Sequence, residues 1–303
     1  MNLLGSLRKE KPKFTGSMTA LITPFDNGEL DLNSFRNIVK HQIDNGTAGL
    51  IPVGTTGESP TLSHYEHEKI VEVCIEESSG KVSVIAGAGS NSTSEACALA
   101  SHAGKAGADA VLVVTPYYNK PTQSGLYSHF MAVADAAKVP VIVYDIPGRS
   151  IIPVHDSTLV KLCENHELIS GIKDATADIS RPPRLLRLIG DGFSQLSGED
   201  ATALPYLAAG GHGCISVSSN IAPKLLSQMH NAWKNKDLKK SFEIHLQMIN
   251  LHDAMFCESS PGPVKFAAEK LGLCKSEARL PIVEIEDSSK KQVINALKEC
   301  KLL

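Results

Sequence analysis

The sequence predicts an α/β protein, a (β/α)8 TIM barrel with a C-terminal helical extension. Eight short runs rich in valine and isoleucine recur along the chain. Their starts are spaced by roughly thirty residues, tightening toward the end, as repeated strand and crossover-helix units require. The runs are nearly continuous in hydrophobicity, as parallel strands covered on both faces should be. The segments between most of them carry apolar residues at helical spacing. A doubly wound sheet is the alternative, but it would more naturally stop at about five or six strands.

Residues 1–13 are polar and basic (Arg8, Lys9, Lys11, Lys13) and lack the apolar core of a signal peptide. They read as a mobile arm. The barrel is expected over 14–223, with strands at 18–23, 49–53, 82–86, 110–115, 139–144, 168–173, 193–197 and 213–217. Asp31 leads into Phe35, Ile38, Val39 and Ile43 at helical spacing. Thr93-Ser94-Glu95 opens a helix that the glycines at 104 and 107 can stop, and Asp156-Ser157-Thr158 opens another. Over 224–303, Leu225, Leu226, Met229 and Trp233, then Phe242, Leu246, Ile249 and Met255, read as one packed helical extension, core or interface. Ser259-Ser260-Pro261-Gly262-Pro263 breaks it before a new helix at 264–271.

A net charge of −3 on 303 residues gives no electrostatic footprint for nucleic acid or an anionic membrane. No run approaches the length of a membrane span. The seven cysteines are scattered and none forms a C-x-x-C pair, so neither a zinc site nor a redox motif is written here. Reduced thiols in a cytoplasmic protein are the simplest reading.

In such a barrel, catalytic groups come from the carboxyl ends of the strands and the loops that follow. Those ends carry Gly54-Thr55-Thr56-Gly57-Glu58-Ser59, Thr115-Pro116-Tyr117-Tyr118-Asn119, Tyr144-Asp145-Ile146-Pro147-Gly148-Arg149, Lys173, Ser197-Gly198-Glu199-Asp200 and Ile215-Ser216. Lys173 is the most informative of them. It closes an apolar stretch in which Ile169, Gly171 and Lys173 share a face by the period-two rule. A lysine there loses hydration, which favours the neutral amine that adds to carbonyls. Taken alone it reads better as a strand-end lysine whose head snorkels to water; the neighbouring hydroxyls, phenols and arginine tip the balance toward imine chemistry. That chemistry needs proton transfers and an anchor for a carboxylate, which backbone N–H groups in a Gly-Thr-Thr-Gly turn can supply. It needs no cofactor and no metal.

Other patterns read more plainly. Gly54-Thr55-Thr56-Gly57 by itself is an ordinary tight turn. Gly87-Ala88-Gly89-Ser90-Asn91-Ser92 lacks the third glycine of a dinucleotide loop. His64 and His67, three apart on an expected helix, could suggest a metal pair, but no third ligand is written nearby, so surface or interface histidines are preferred.

Four of these motifs, in order and at matching strand ends, resemble the 4-hydroxy-tetrahydrodipicolinate synthase (dihydrodipicolinate synthase) family of pyruvate-dependent class I aldolases. They are Gly54-Thr55-Thr56-Gly57-Glu58-Ser59, Thr115-Pro116-Tyr117-Tyr118-Asn119-Lys120-Pro121, Tyr144-Asp145-Ile146-Pro147-Gly148-Arg149 and Gly171-Ile172-Lys173-Asp174-Ala175. The resemblance runs from about Phe14 to the C-terminus. It implies that Lys173 forms an imine with pyruvate, that the derived enamine attacks L-aspartate 4-semialdehyde, and that the ring closes by displacing Lys173. That is the committed step of diaminopimelate and lysine biosynthesis.

By the same resemblance Tyr144 is the acid/base, linked through Thr55 to Tyr118 reaching across from a neighbouring subunit. A homo-oligomer follows, a tight dimer paired into a tetramer. Thr56 would hold the pyruvate carboxylate and Arg149 that of the semialdehyde, with the backbones of Gly198 and Ile215 beside the imine. Ser59, Pro60, His64, His67, Asn91, Glu95 and Tyr117 match a site for L-lysine as feedback inhibitor. Sugar-acid aldolases of the N-acetylneuraminate or 2-keto-3-deoxygluconate type share the lysine and tyrosine, and a catalytically silent ligand-binding barrel is a further alternative. Both threonines and Arg149 favour the synthase. The chain departs from the common pattern at Ser150 and at Glu258-Ser259-Ser260-Pro261.

Overall fold

The computed structural model describes residues 6–303; residues 1–5 of the expected arm lie outside the described residues. Ten strands are formed: β1 (Gly16–Ala20), β2 (Phe25–Asp26), β3 (Glu29–Leu30), β4 (Gly49–Ile51), β5 (Ser83–Gly87), β6 (Ala110–Val114), β7 (Val141–Asp145), β8 (Ile169–Asp174), β9 (Ser194–Ser197) and β10 (Gly213–Ser216). Eight of them close a barrel in the order β1-β10-β9-β8-β7-β6-β5-β4. Every expected strand overlaps one of these eight. The pairs running from β1–β4 round to β9–β10 are parallel.

The remaining two strands form an antiparallel hairpin that the apolar pattern does not announce. Its turn is Asn27-Gly28, with φ of 52° and 84°. Asn-Gly with positive φ at both residues is the signature of a tight hairpin turn, so the signal was present in the sequence.

The helices are α1 (Leu32–Asp44), α2 (His64–Ser78), α3 (Thr93–Ala106), α4 (Gln123–Ala137), α5 (Pro147–Ser150), α6 (Asp156–Asn165), α7 (Arg181–Leu188), α8 (Ala203–Ala208), α9 (Pro223–Lys234), α10 (Leu238–Ala254), α11 (Gly262–Lys270) and α12 (Asp287–Glu299). Their starts are chemically marked. Asp31 accepts from the Ser34 N–H at the head of α1, and Ser63 with Glu66 forms a capping box on α2. Gly107 ends α3 at φ 99°.

Contacts group the chain into two compact units. The first holds 85–215 and the end of the N-terminal stretch. In it α3 packs on α4 and α4 on α6. Within residues 6–13, Arg8 is hydrogen-bonded to this unit. The Arg8 N–H donates to Ile189 O, the Arg8 carbonyl accepts from Gly192 N, and the guanidinium reaches the carbonyls of His166 and Ile169.

The second unit holds 16–84 and 216–303. Here α9 packs on β1, α10 on α9 and α12 on α10. Leu226, Met229, Met248 and Met255 are buried as the helical pattern demands, whereas Phe242 and Leu246 are 57% and 62% exposed. Those two therefore sit on the outward side of α10, compatible with the interface half of the core-or-interface expectation. No helix among the described residues is long and apolar enough to cross a membrane.

His129 of α4 is buried, with Nδ1 2.9 Å from Thr93 Oγ1. Burial pushes the imidazole down to about 4. The unfolded chain, with a histidine near its ordinary 6.5, binds the extra proton first, so stability falls as pH drops from about 6.5 toward 4. The expected loss across that window is on the order of 3 kcal/mol. Urea unfolding of wild type and His129→Asn at pH 7 and pH 5 checks it: the variant should show the smaller pH dependence.

Candidate active site

The register between β7 and β8 pairs Tyr144 with Lys173 and Asp145 with Asp174. Successive residues of a strand face opposite ways, so Tyr144 and Lys173 share one face and the two aspartates share the other. On the first face the Lys173 Nζ lies 4.2 Å from the centre of the Tyr144 ring. Both side chains are buried at 5% exposure. Among the described residues no salt bridge to Lys173 is formed, and its charge acts on the nearby Glu199 carboxyl.

On the opposite face the two aspartates meet Arg181, from the first turn of α7. Its guanidinium lies 2.7 Å from Asp145 Oδ2 and 3.5 Å from Asp174 Oδ1, all three side chains being almost fully buried. It also bonds Asp156 at 3.0 Å and the Val154 carbonyl at 2.6 Å. Burial pushes the Asp145 carboxyl up, against the pull of Arg181. A buried arginine bridging two strand ends fixes the register that brings Lys173 over Tyr144. The sequence reading named Asp145 and Asp174 only as neighbours of the reactive pair. Their period-two relation was legible; the arginine that joins them was not.

The loops around this pair are tightly built. A Cβ on Gly198 would stand 2.7 Å from the Ala175 Cβ, so only glycine permits the approach of the two strand ends. Ile215 is fully buried at the end of β10. Glu199 is half-buried. Burial and then Asp200 raise its carboxyl, while Lys173 and Arg149 pull the other way. Arg149 is exposed on α5. The turn that carries it is closed by Ser150, whose hydroxyl donates to the Ile146 carbonyl at 3.0 Å.

The Gly-Thr-Thr-Gly turn after β4 belongs to the second unit. Gly57 N donates to Gly54 O at 3.1 Å and Glu58 N to Thr55 O at 3.2 Å. Thr23 Oγ1 donates to the Gly57 carbonyl at 2.7 Å. Thr56 is buried and Thr55 half-buried.

Tyr118 is not gathered with Lys173 and Tyr144. It is 88% exposed at φ 72°, an unusual conformation for a tyrosine. Of the residues matched to a lysine site, Asn91, Glu95 and Tyr117 come together. Burial and then the charge of Glu95 push the Tyr117 phenol up, and the Asn91 backbone hydrogen-bonds it. Glu95 also accepts from Ser90 Oγ. Ser59, Pro60, His64 and His67 belong to the second unit. His64 is exposed and His67 is buried in the single chain, where surface or interface positions are expected for both.

Residues 13–300 match the model of the dihydrodipicolinate synthetase family. The chain belongs to that family. It is 55% identical to the 4-hydroxy-tetrahydrodipicolinate synthase of Bradyrhizobium diazoefficiens, over 95% of this chain and 97% of the relative. Among solved structures, the family's Acinetobacter baumannii member, complexed with pyruvate, superposes with a TM-score of 0.92. It is 40% identical over 95% of this chain and 99% of that one. The Cyanidioschyzon merolae member, with lysine bound, gives 0.93 at 37% identity over 97% and 100%. The match spans both units.

Proposed function

We propose that the chain condenses pyruvate with L-aspartate 4-semialdehyde to 4-hydroxy-tetrahydrodipicolinate, the committed step of diaminopimelate and lysine biosynthesis. The observation that carries this is Lys173, buried at a strand end with its Nζ over the Tyr144 ring. Family membership supplies the substrates.

The Lys173 amine adds to the ketone carbon of pyruvate, and loss of water leaves an imine. Loss of a methyl proton gives an enamine, whose terminal carbon bonds the aldehyde carbon of the second substrate while the aldehyde oxygen takes a proton. The amino group of that substrate then attacks the imine carbon, closing the ring and releasing Lys173 as the free amine. Tyr144 is the acid/base beside the imine, with Thr55 and Tyr118 as its relay. Thr56 holds the pyruvate carboxylate and Arg149 that of the semialdehyde. The Gly198 and Ile215 backbones flank the imine.

The strained, solvent-facing Tyr118 supports a role in a neighbouring subunit, and hence a dimer, paired into a tetramer. Feedback inhibition by L-lysine is supported by the convergence of Asn91, Glu95 and Tyr117 and by the lysine-bound relative. Seven free cysteines suit a cytoplasmic enzyme.

The decisive experiment measures pyruvate-dependent consumption of the semialdehyde, coupled to a reductase acting on the product. The same preparation is tested for pyruvate release from N-acetylneuraminate and 2-keto-3-deoxygluconate. Activity on the sugar acids alone would discard the substrate assignment. In the coupled assay Tyr118→Phe is expected to slow turnover by about 10²-fold, the scale of a lost acid–base group. A near-wild-type rate would remove Tyr118 from the relay.

A further inference from the structure

Glu58 and Lys265 form an ion pair cut off from solvent, and the imine chemistry uses neither. The Lys265 Nζ lies 2.6 Å from Glu58 Oε1, with the side chains 0% and 3% exposed. The other carboxylate oxygen accepts the Arg279 backbone N–H at 2.9 Å. The Lys265 ammonium also sits 4.3 Å from the Phe25 ring centre, with the Arg279 guanidinium 4.4 Å from the same ring. Desolvating two charges is costly, and apolar side chains of similar volume would often be at least as stable. The pair therefore calls for a reason beyond net stability.

The backbone beside it supplies one. Val53 at φ 49° and Glu58 at φ 56° bracket the Gly54–Gly57 turn, both in the left-handed region that L side chains rarely adopt. Such residues persist where the surroundings over-determine them, and they cluster at functional sites. Both Glu58 oxygens are bound, so its left-handed backbone is held from α11 and from Arg279. On its other side the turn has no room to shift: a Cβ on Gly57 would meet Val53 N at 3.0 Å and Leu21 O at 3.1 Å.

We propose that Glu58 and Lys265 are positioning residues for pyruvate. Through this pair, α11 holds the Gly54–Gly57 turn in the shape that presents Thr55 and Thr56 to the substrate. The inference rests on the reading that Thr56 binds the pyruvate carboxylate. An ordinary structural staple is the competing explanation, and pyruvate dependence separates the two.

The test compares wild type with Lys265→Met, Glu58→Gln and the double variant Glu58→Gln/Lys265→Met. A stability control is Val133→Ala, in the core of α4. Each protein is titrated with pyruvate under borohydride, and the trapped adduct is read by intact mass alongside Tm. Removing both charges together avoids leaving one buried and unpaired, so the double variant should recover most of the Tm lost by Lys265→Met. Its half-trapping concentration of pyruvate should nonetheless rise at least about tenfold, because a displaced anchor weakens binding without touching Lys173. Val133→Ala should lower Tm and leave that concentration unchanged. If Lys265→Met does not fold, Glu58→Gln and the double variant carry the same reading. An adduct in every variant at the wild-type pyruvate concentration would overturn this inference alone. No adduct even in wild type would overturn the imine mechanism, and this inference with it.

Discussion

Lys173→Ala is expected to leave no borohydride-trappable adduct with pyruvate and to cut turnover by roughly 10⁴-fold or more, the scale on which loss of a covalent nucleophile is read. The enamine exists only while the substrate is bonded to the amine, so no remaining group can replace it. Lys265, the other fully buried lysine, is already paired with Glu58. Intact-mass measurement after borohydride treatment checks the result directly. An adduct persisting on Lys173→Ala would mean that another amine is the nucleophile, and the mechanism would have to be redrawn around it.

The second large effect is on stability. Arg181→Leu strands the buried carboxylates of Asp145 and Asp174 without the cation that joins them. Breaking a buried charge cluster by removing one partner typically costs about 3–5 kcal/mol, because the charges left behind are uncompensated. Urea unfolding at neutral pH should show a loss of that size. The loss should shrink on acidification. Without Arg181 the folded state holds the Asp145 carboxyl still further above its unfolded value, so the destabilisation is absent below the unfolded range, about 4, and grows as pH rises through the folded one. Arg181→Lys keeps the charge but not the fork that spans both strands, so it should lose less than Arg181→Leu. A variant as stable as wild type at pH 7 would mean that α7 does not hold the strand ends.

Much of the barrel and of the placement of Tyr144 and Lys173 was legible in local sequence. All eight barrel strands were found because parallel strands covered on both faces are written as short apolar runs, and their ends then located Tyr144, Lys173 and the threonine turn. The hairpin at Asn27-Gly28 was missed although its turn was spelled out, since two-residue strands carry no periodicity. The expected core-or-interface stripe divides: Met229 and Met255 are buried, while Phe242 and Leu246 fit the helical spacing and face outward. Spacing shows which residues share a face, not whether another element covers it.

The order of the strands, the placement of Lys173 at a strand end and the chemical character of each loop follow from local pattern alone. Folding decided which charges meet. Glu58 and Lys265 lie 207 positions apart, and Arg181 reaches Asp145 across 36. In neither pairing do the partners share an element, so no helical or strand period relates them. The pattern of a buried charge looks the same whether its partner is a counter-ion or water. What separates the two cases is the cost of desolvation, which is defined only once the chain has closed around the charge.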